Sequence, residues 1–201
     1  ERVSEVANKP IGRITADLTR TPSPAGETAL GDVIADAQLA SMKDQGAQIA
    51  LMNPGGVRAD LTYAASGSEG DGVVTYGEAF AVQPFSNVMG VVTLTGAQLD
   101  RLLEQQWTSE GEKILQPSAT LRFTIDRSKP IGDRVSDITV DGQPVDPEAT
   151  YRVAANNFLL GGGDGFTVFT EGQDLVLGPI DLDAFQAYLE ANSPISPPAL
   201  D

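Results

Sequence analysis

Residues 156–166, NNFLLGGGDGF, place two amides, two aromatic rings and one carboxylate around four glycines. An ionised Asp164 only accepts hydrogen bonds, so its natural targets are hydroxyls and amines, a ribose diol among them. Glycines let a backbone come close to a bound molecule, but they also serve turns that need φ > 0. On chemistry alone the segment is either such a turn or a loop opened toward a ligand. A nucleotide P-loop does not fit, because no Lys-Ser/Thr pair follows the glycines and no G-x-G-x-x-G opens a helix.

A second stretch, NPGGVR at residues 53–58, follows an apolar run and sets Asn53 and Arg58 at the edges of a glycine turn. Ligands often bind at the C-terminal edge of strands in mixed sheets, and a guanidinium is a fork suited to phosphate or carboxylate. The plainer alternative pairs Arg58 with Asp60 on the surface. Phe85 in QPFSN and Phe158 after Asn157 each stand where an element meets a loop. Each ring is either core or turned outward. Two outward rings can sandwich a planar base, with stacking worth about 1–3 kcal/mol per ring.

What the chain lacks narrows the chemistry. With no His and no Cys among 201 residues, Ser-His and Cys-His nucleophile systems and thiolate ligands are ruled out. Carboxylate chemistry stays open, including an oxygen-ligand cation site. Asp141, Asp146 and Glu148 share a turn without the D-x-D-x-D-G spacing, so solvated turn residues are expected there. A net charge of −15 repels polymeric nucleic acid and anionic membrane surfaces. No run of 18 apolar residues occurs, so no membrane insertion is expected. The abrupt, charged start at Glu1 favours a piece of a longer chain over a mature N-terminus.

The elements that must hold these residues read as α+β, mixed β-sheets flanked by helices. Residues 1–9 read as the end of a helix stopped by Pro10. Alternation predicts strands over 11–19, 48–53, 119–126, 135–140 and 150–155, with another across NVMGVVTLTG. Apolar stripes predict helices over 29–43, with Gly46 just beyond, and over 182–191. A short helix is expected in TYGEAFAVQPF. A further helix in AQLDRLLEQQW carries Leu99, Leu102, Leu103 and Trp107 on one face. Residues 21–27 and 66–72 read as loops.

Four segments in order, GETALGDVIADA, MNPGGVRADL, TYGEAFAVQPFSN and GQPVDPEATYRVAANNFLLGGGDGF, resemble the C-terminal domain of the 5'-nucleotidase family, which includes ecto-5'-nucleotidases and bacterial UDP-sugar hydrolases. The resemblance runs from about Ile11 to Leu189. It implies a substrate-binding domain over 10–201, preceded at 1–9 by the end of an interdomain linker helix. It also implies an N-terminal metallophosphatase domain that holds two divalent metals and a catalytic His-Asp pair, which this His-free chain does not contain. No catalytic residue, metal or cofactor is expected here.

By the same resemblance, Phe85 and Phe158 sandwich the base, Asn87 hydrogen-bonds it, Asp164 holds the ribose hydroxyls, Arg58 helps bind phosphate, and Asn53 lies beside the substrate. The implied ligand is a nucleotide or nucleoside, and the implied location is extracellular, periplasmic or cell envelope. One departure stands out. Better-known members carry a further phosphate-binding arginine just before the segment matching GETALGD, where this chain has TPSPAGE with Pro24 near the place and Arg20 out of register. That leaves open a UDP-sugar hydrolase or a 2',3'-cyclic nucleotide phosphodiesterase. A stand-alone nucleoside-binding module is the alternative of another class.

Overall fold

The computed structural model describes residues 2–201, with side chains from Ser4 onward. The chain begins with α1 (Arg2–Ala7) and β1 (Pro10–Arg13), then α2 (Ala29–Ser41) and β2 (Ile49–Met52). Next come β3 (Val73–Thr75), α3 (Tyr76–Val82), β4 (Val88–Thr95) and α4 (Gly96–Glu104). Six short or medium strands follow: β5 (Trp107–Thr108), β6 (Gly111–Glu112), β7 (Gln116–Pro117), β8 (Leu121–Ile125), β9 (Val135–Val140) and β10 (Gln143–Pro144). The chain closes with β11 (Thr150–Asn156), α5 (Asn157–Leu160), β12 (Gln173–Ile180) and α6 (Asp181–Asn192). The mixed, helix-flanked architecture is the α+β class expected. The helix at Arg2–Ala7 lies where a helix end was expected, while Glu1 falls outside the described residues.

The centre is a five-stranded sheet in the order β12-β4-β11-β2-β7. β11 runs antiparallel to β4 and parallel to β2. Because side chains alternate across a strand, β11 splits its apolar residues between two cores. Val153 and Ala155 join Val92, Leu94 and the α4 residues Leu99, Leu102 and Leu103. Ala154 faces the other way, with Met89, Val91, Met42 and Ala184. A third core packs α2 against α6 through Leu30, Val33, Ile34, Phe185 and Leu189. The helices start where capping chemistry dictates. Thr28 accepts from Gly31 N–H at 3.0 Å, and Thr75 and Thr95 each form a capping box with the residue three positions on.

Two expectations need correction, and one strand was not expected. The strand expected over 11–19 is confined to Pro10–Arg13, with only isolated bridges at Ile14 and Leu18. Asp17 diverts the chain by accepting from Tyr63 N–H at 2.6 Å, the competition with a ladder that short polar side chains offer. Helix α4 stops at Glu104 and does not reach Trp107. Trp107 instead opens the β5–β6 hairpin, buried, with Nε1 donating to Glu112 at 2.8 Å. Finally, β12 is a full eight-residue edge strand that alternation did not reveal. It departs from regular pairing twice, Asp174 has φ 53°, and its apolar side chains are largely exposed.

Candidate functional site

Sheet topology brings the chemistry together. β2 and β11 are parallel, so both deliver their C-terminal ends to one edge, and antiparallel β4 begins at that same edge, with Met89 opposite Asn156. The residues after β2, before β4 and after β11 therefore converge. They line a cavity of about 330 Å³ formed by Asn53, Gly55, Gly56, Phe85, Asn87, Phe158 and Asp164. Five of the six residues singled out from sequence are in this lining; Arg58 is not.

Both rings stand clear of the core. Phe85 is 55% exposed and Phe158 43%, whereas Phe166 and Phe169 are sealed inside. Phe158 lies on α5, whose N-cap is Asn156. Its ring rests on the glycine loop so closely that a Cβ at Gly163 would come within 2.7 Å of Cε2 and Cζ. Gly162 and Gly165 have φ of 86° and 84°, and Asp164 itself has φ 58°. Asp tolerates this left-handed region better than most residues. The glycine run is a turn that needs these residues, and Asp164 within it lines the cavity.

The amides are tied in place. Asn156 Oδ1 accepts from Leu159 N–H at 2.9 Å, and its Nδ2 donates to Asn53 Oδ1 at 2.8 Å. Asn157 Oδ1 accepts from Val88 N–H at 2.8 Å, joining α5 to the start of β4. Asn87 flanks buried Asp181: its carbonyl accepts from Asp181 N–H at 2.8 Å. Burial raises the Asp181 carboxyl, and hydrogen bonds from Leu182 N–H and from Asn87 oppose that shift.

Arg58 sits one step back. Its guanidinium lies 5.9 Å from the Phe85 ring centroid, and Nη1 donates to Gly55 O at 3.3 Å. The alternative pairing with Asp60 is not formed, because Asp60 is taken by Arg20 at 3.1 Å. Arg20 is therefore tied to Asp60 through both its backbone N–H, at 2.8 Å, and its side chain. The segment around Pro24 is braced from outside by Arg127, which donates to Pro24 O and Ala25 O at 3.0 and 3.1 Å. The same guanidinium holds Glu112 below the usual carboxylate range. Asp146 accepts from Glu148 N–H at 2.9 Å within its own turn. Among the described residues no group of three or more Asp or Glu is placed to hold a metal ion, and no helix is long and apolar enough to cross a membrane.

Two residues that support the lining from behind were not singled out from sequence. Lys113 places Nζ 3.3 Å from Asp164 Oδ1; nothing in its local sequence marks it, because the hairpin that delivers it is 51 residues away. Asn156 was visible as half of an Asn-Asn pair preceding an aromatic, a signal for an N-cap. Taken together, the cavity offers stacking surfaces, amides and one carboxylate. This is chemistry for holding and orienting a polar, planar ligand.

The chain matches the family described as 5'-nucleotidase, C-terminal domain, over residues 10–171. It is 34% identical, over 94% of its length, to a cell wall protein of Listeria monocytogenes, and 35% identical, again over 94%, to a trifunctional nucleotide phosphoesterase of Bacillus subtilis. Its fold superposes on a 5'-nucleotidase precursor from Thermus thermophilus with a TM-score of 0.80 and 36% identity over 94% of the chain. It spans only 25% and 13% of those two relatives and 38% of that structure. The chain belongs to the 5'-nucleotidase C-terminal domain family.

Proposed function

We propose that this chain is the nucleotide-recognition domain of a larger metal-dependent 5'-nucleotidase that hydrolyses nucleotides to nucleoside and phosphate. The observation that carries the reading is the convergence of Phe85, Phe158, Asn53, Asn87 and Asp164 on one cavity at the edge of the sheet. Phe85 and Phe158 stack on the base, Asn87 hydrogen-bonds its edge, Asp164 accepts from the ribose hydroxyls, and Asn53 lies beside the sugar and phosphate. Arg58 reaches the phosphate from behind Phe85. The domain's contribution to catalysis is orientation, which brings the scissile bond to the reacting groups. Those groups, with two divalent metals that activate water, belong to an N-terminal metallophosphatase domain of the same polypeptide. Helix α1, packed on α3, is the end of the interdomain linker. A cell wall protein among the relatives supports an extracellular, periplasmic or envelope location.

A second reading keeps the site and changes the substrate to a UDP-sugar or a 2',3'-cyclic nucleotide. It draws on Pro24 where other members have an arginine, and on a relative named a trifunctional phosphoesterase. A substrate panel on the full-length enzyme separates the two.

Calorimetry of this chain tests the main reading. Adenosine and AMP bind, Phe85→Ala and Phe158→Ala each remove about 1–3 kcal/mol, and ribose 5-phosphate is insensitive to both changes. Equal adenosine binding by wild type and both variants overturns the sandwich. The chain with added metals leaves AMP intact; turnover by the pure chain would place catalytic groups here and refute the division of labour.

A further inference from the structure

We infer that Asn156 is a positioning residue that determines which end of the Asn53 amide meets the ligand. Hydrogen-bond polarity is fixed from the backbone outward. Leu159 N–H is a fixed donor, so the Asn156 atom that faces it at 2.9 Å is the carbonyl oxygen. The other end of the Asn156 side chain is then necessarily NH₂. One of its hydrogens goes to Asn53 at 2.8 Å, and the other side faces Met52 Sδ at 3.6 Å, a weak acceptor. Asn53 therefore presents its oxygen to Asn156 and turns its own NH₂ away.

That NH₂ donates to no described residue, and it is not among the polar atoms sealed from solvent without a partner. Asn53 is 95% buried by its 5% exposure, yet it lines the cavity. An otherwise buried side chain thus offers one unused donor to whatever occupies the site. The complementary ligand atom is an acceptor, a sugar, ring or phosphoryl oxygen or a ring nitrogen, and not a hydroxyl or amine acting as donor. Asn156 is fully buried and does not line the cavity, so it acts through Asn53. The same side chain caps α5 and so also sets the helix that carries Phe158.

The ligand side of this inference rests on the nucleoside reading above; the amide orientation does not. Two variants keep the cap. Asn156→Ser retains an oxygen for Leu159 N–H and removes the donor to Asn53. Asn156→Asp also retains the oxygen but reverses the relay when ionised, since Asn53 must then turn its NH₂ inward and show its oxygen to the cavity. When protonated, the new carboxyl donates as the native amide does. Side-chain amide exchange measured by NMR on the ligand-free chain should find the Asn53 NH₂ freely exchanging in wild type and protected in Asn156→Asp at high pH. Adenosine affinity should fall about tenfold to a hundredfold in Asn156→Asp at pH 8 and recover as pH falls, with no such recovery in Asn156→Ser. A protected Asn53 NH₂ in wild type overturns the inference, and so does pH-independent, wild-type affinity in Asn156→Asp. Failure of wild type to bind adenosine defeats the nucleoside reading but leaves the exchange measurement decisive for Asn156.

Discussion

Lys113 Nζ sits 3.3 Å from Asp164 Oδ1, so the carboxylate in the cavity wall carries a counter-ion delivered from the β5–β6 hairpin. The lysine is 57% exposed and the aspartate 23%. An exposed pair of this kind is worth about 0–1 kcal/mol, which makes Lys113 a modest orienting partner and leaves Oδ2 free to accept from a ligand.

The carboxylate should matter far more than its counter-ion. Asp164 stands at φ 58°, where alanine would add backbone strain of roughly 1–2 kcal/mol and confuse the result. Asparagine tolerates that backbone, so Asp164→Asn removes the charge alone. Adenosine affinity measured by calorimetry should fall about tenfold or more, as expected for losing a charge-assisted hydrogen bond. Lys113→Gln should change it by less than about fivefold. Unchanged affinity in Asp164→Asn would remove the ribose role from this residue.

Arg58 poses a sharper question, because it does not line the cavity and meets the site through the Phe85 ring and Gly55 O. A guanidinium 5.9 Å from an exposed ring gains about 0.5–1 kcal/mol, so some effect on base stacking is expected from this contact. If its main partner is phosphate, Arg58→Ala should cost AMP about tenfold in affinity while adenosine changes by less than about threefold. Arg58→Lys should recover only part of the AMP affinity, since lysine keeps the charge but loses the planar fork. Equal losses for AMP and adenosine would mean that the arginine serves the Phe85 ring and not the phosphate.

Much of this site could be read from sequence because its residues sit at strand ends marked by strong local punctuation. Gly55–Gly56 after β2, Pro84 before Phe85, and the glycine run after α5 all interrupt apolar runs. The convergence of three such loops could not be read locally; it depends on β11 pairing parallel to β2 and antiparallel to β4. Lys113 was invisible for the same reason. Asp60 illustrates the opposite failure. It is two positions from Arg58, yet the fold gives it to Arg20, forty residues away, because the Leu18–Leu61 bridge draws those two segments together. Trp107 continued the helical period by position, but the chain turns after Gln105 and buries the indole in a hairpin instead.

Glu27 and Asp32 are both more than nine-tenths buried at the start of α2, and Asp32 Oδ1 has no donor among the described residues. Burial, followed by the neighbouring charge of Glu27 and its hydrogen bond, with Asp36 adding to them, pushes the Asp32 carboxyl up to about 9. Burial raises Glu27 as well, against the lowering effects of Asp32 and Arg122. A single proton held on Asp32 supplies the donor that two facing carboxylates otherwise lack. The folded chain then keeps a proton that the unfolded chain, with an ordinary Asp near 3.8, releases. Stability from this group is fully present below about pH 4 and is lost as pH rises toward 9, at up to about 1.4 kcal/mol per pH unit for each extra proton held. Asp32→Asn replaces the protonated carboxyl with an amide that still donates to Glu27. Thermal unfolding should show wild type losing Tm between pH 5 and pH 8 more steeply than the variant. At pH 8 the variant should lie a few degrees higher, since about 1 kcal/mol corresponds to roughly 2–4 °C for a chain of this size. The slope should shrink without vanishing, because burial also raises Asp36 and Asp181, which titrate in the same sense. Identical slopes for the two proteins would mean that the pair holds no proton near neutral pH.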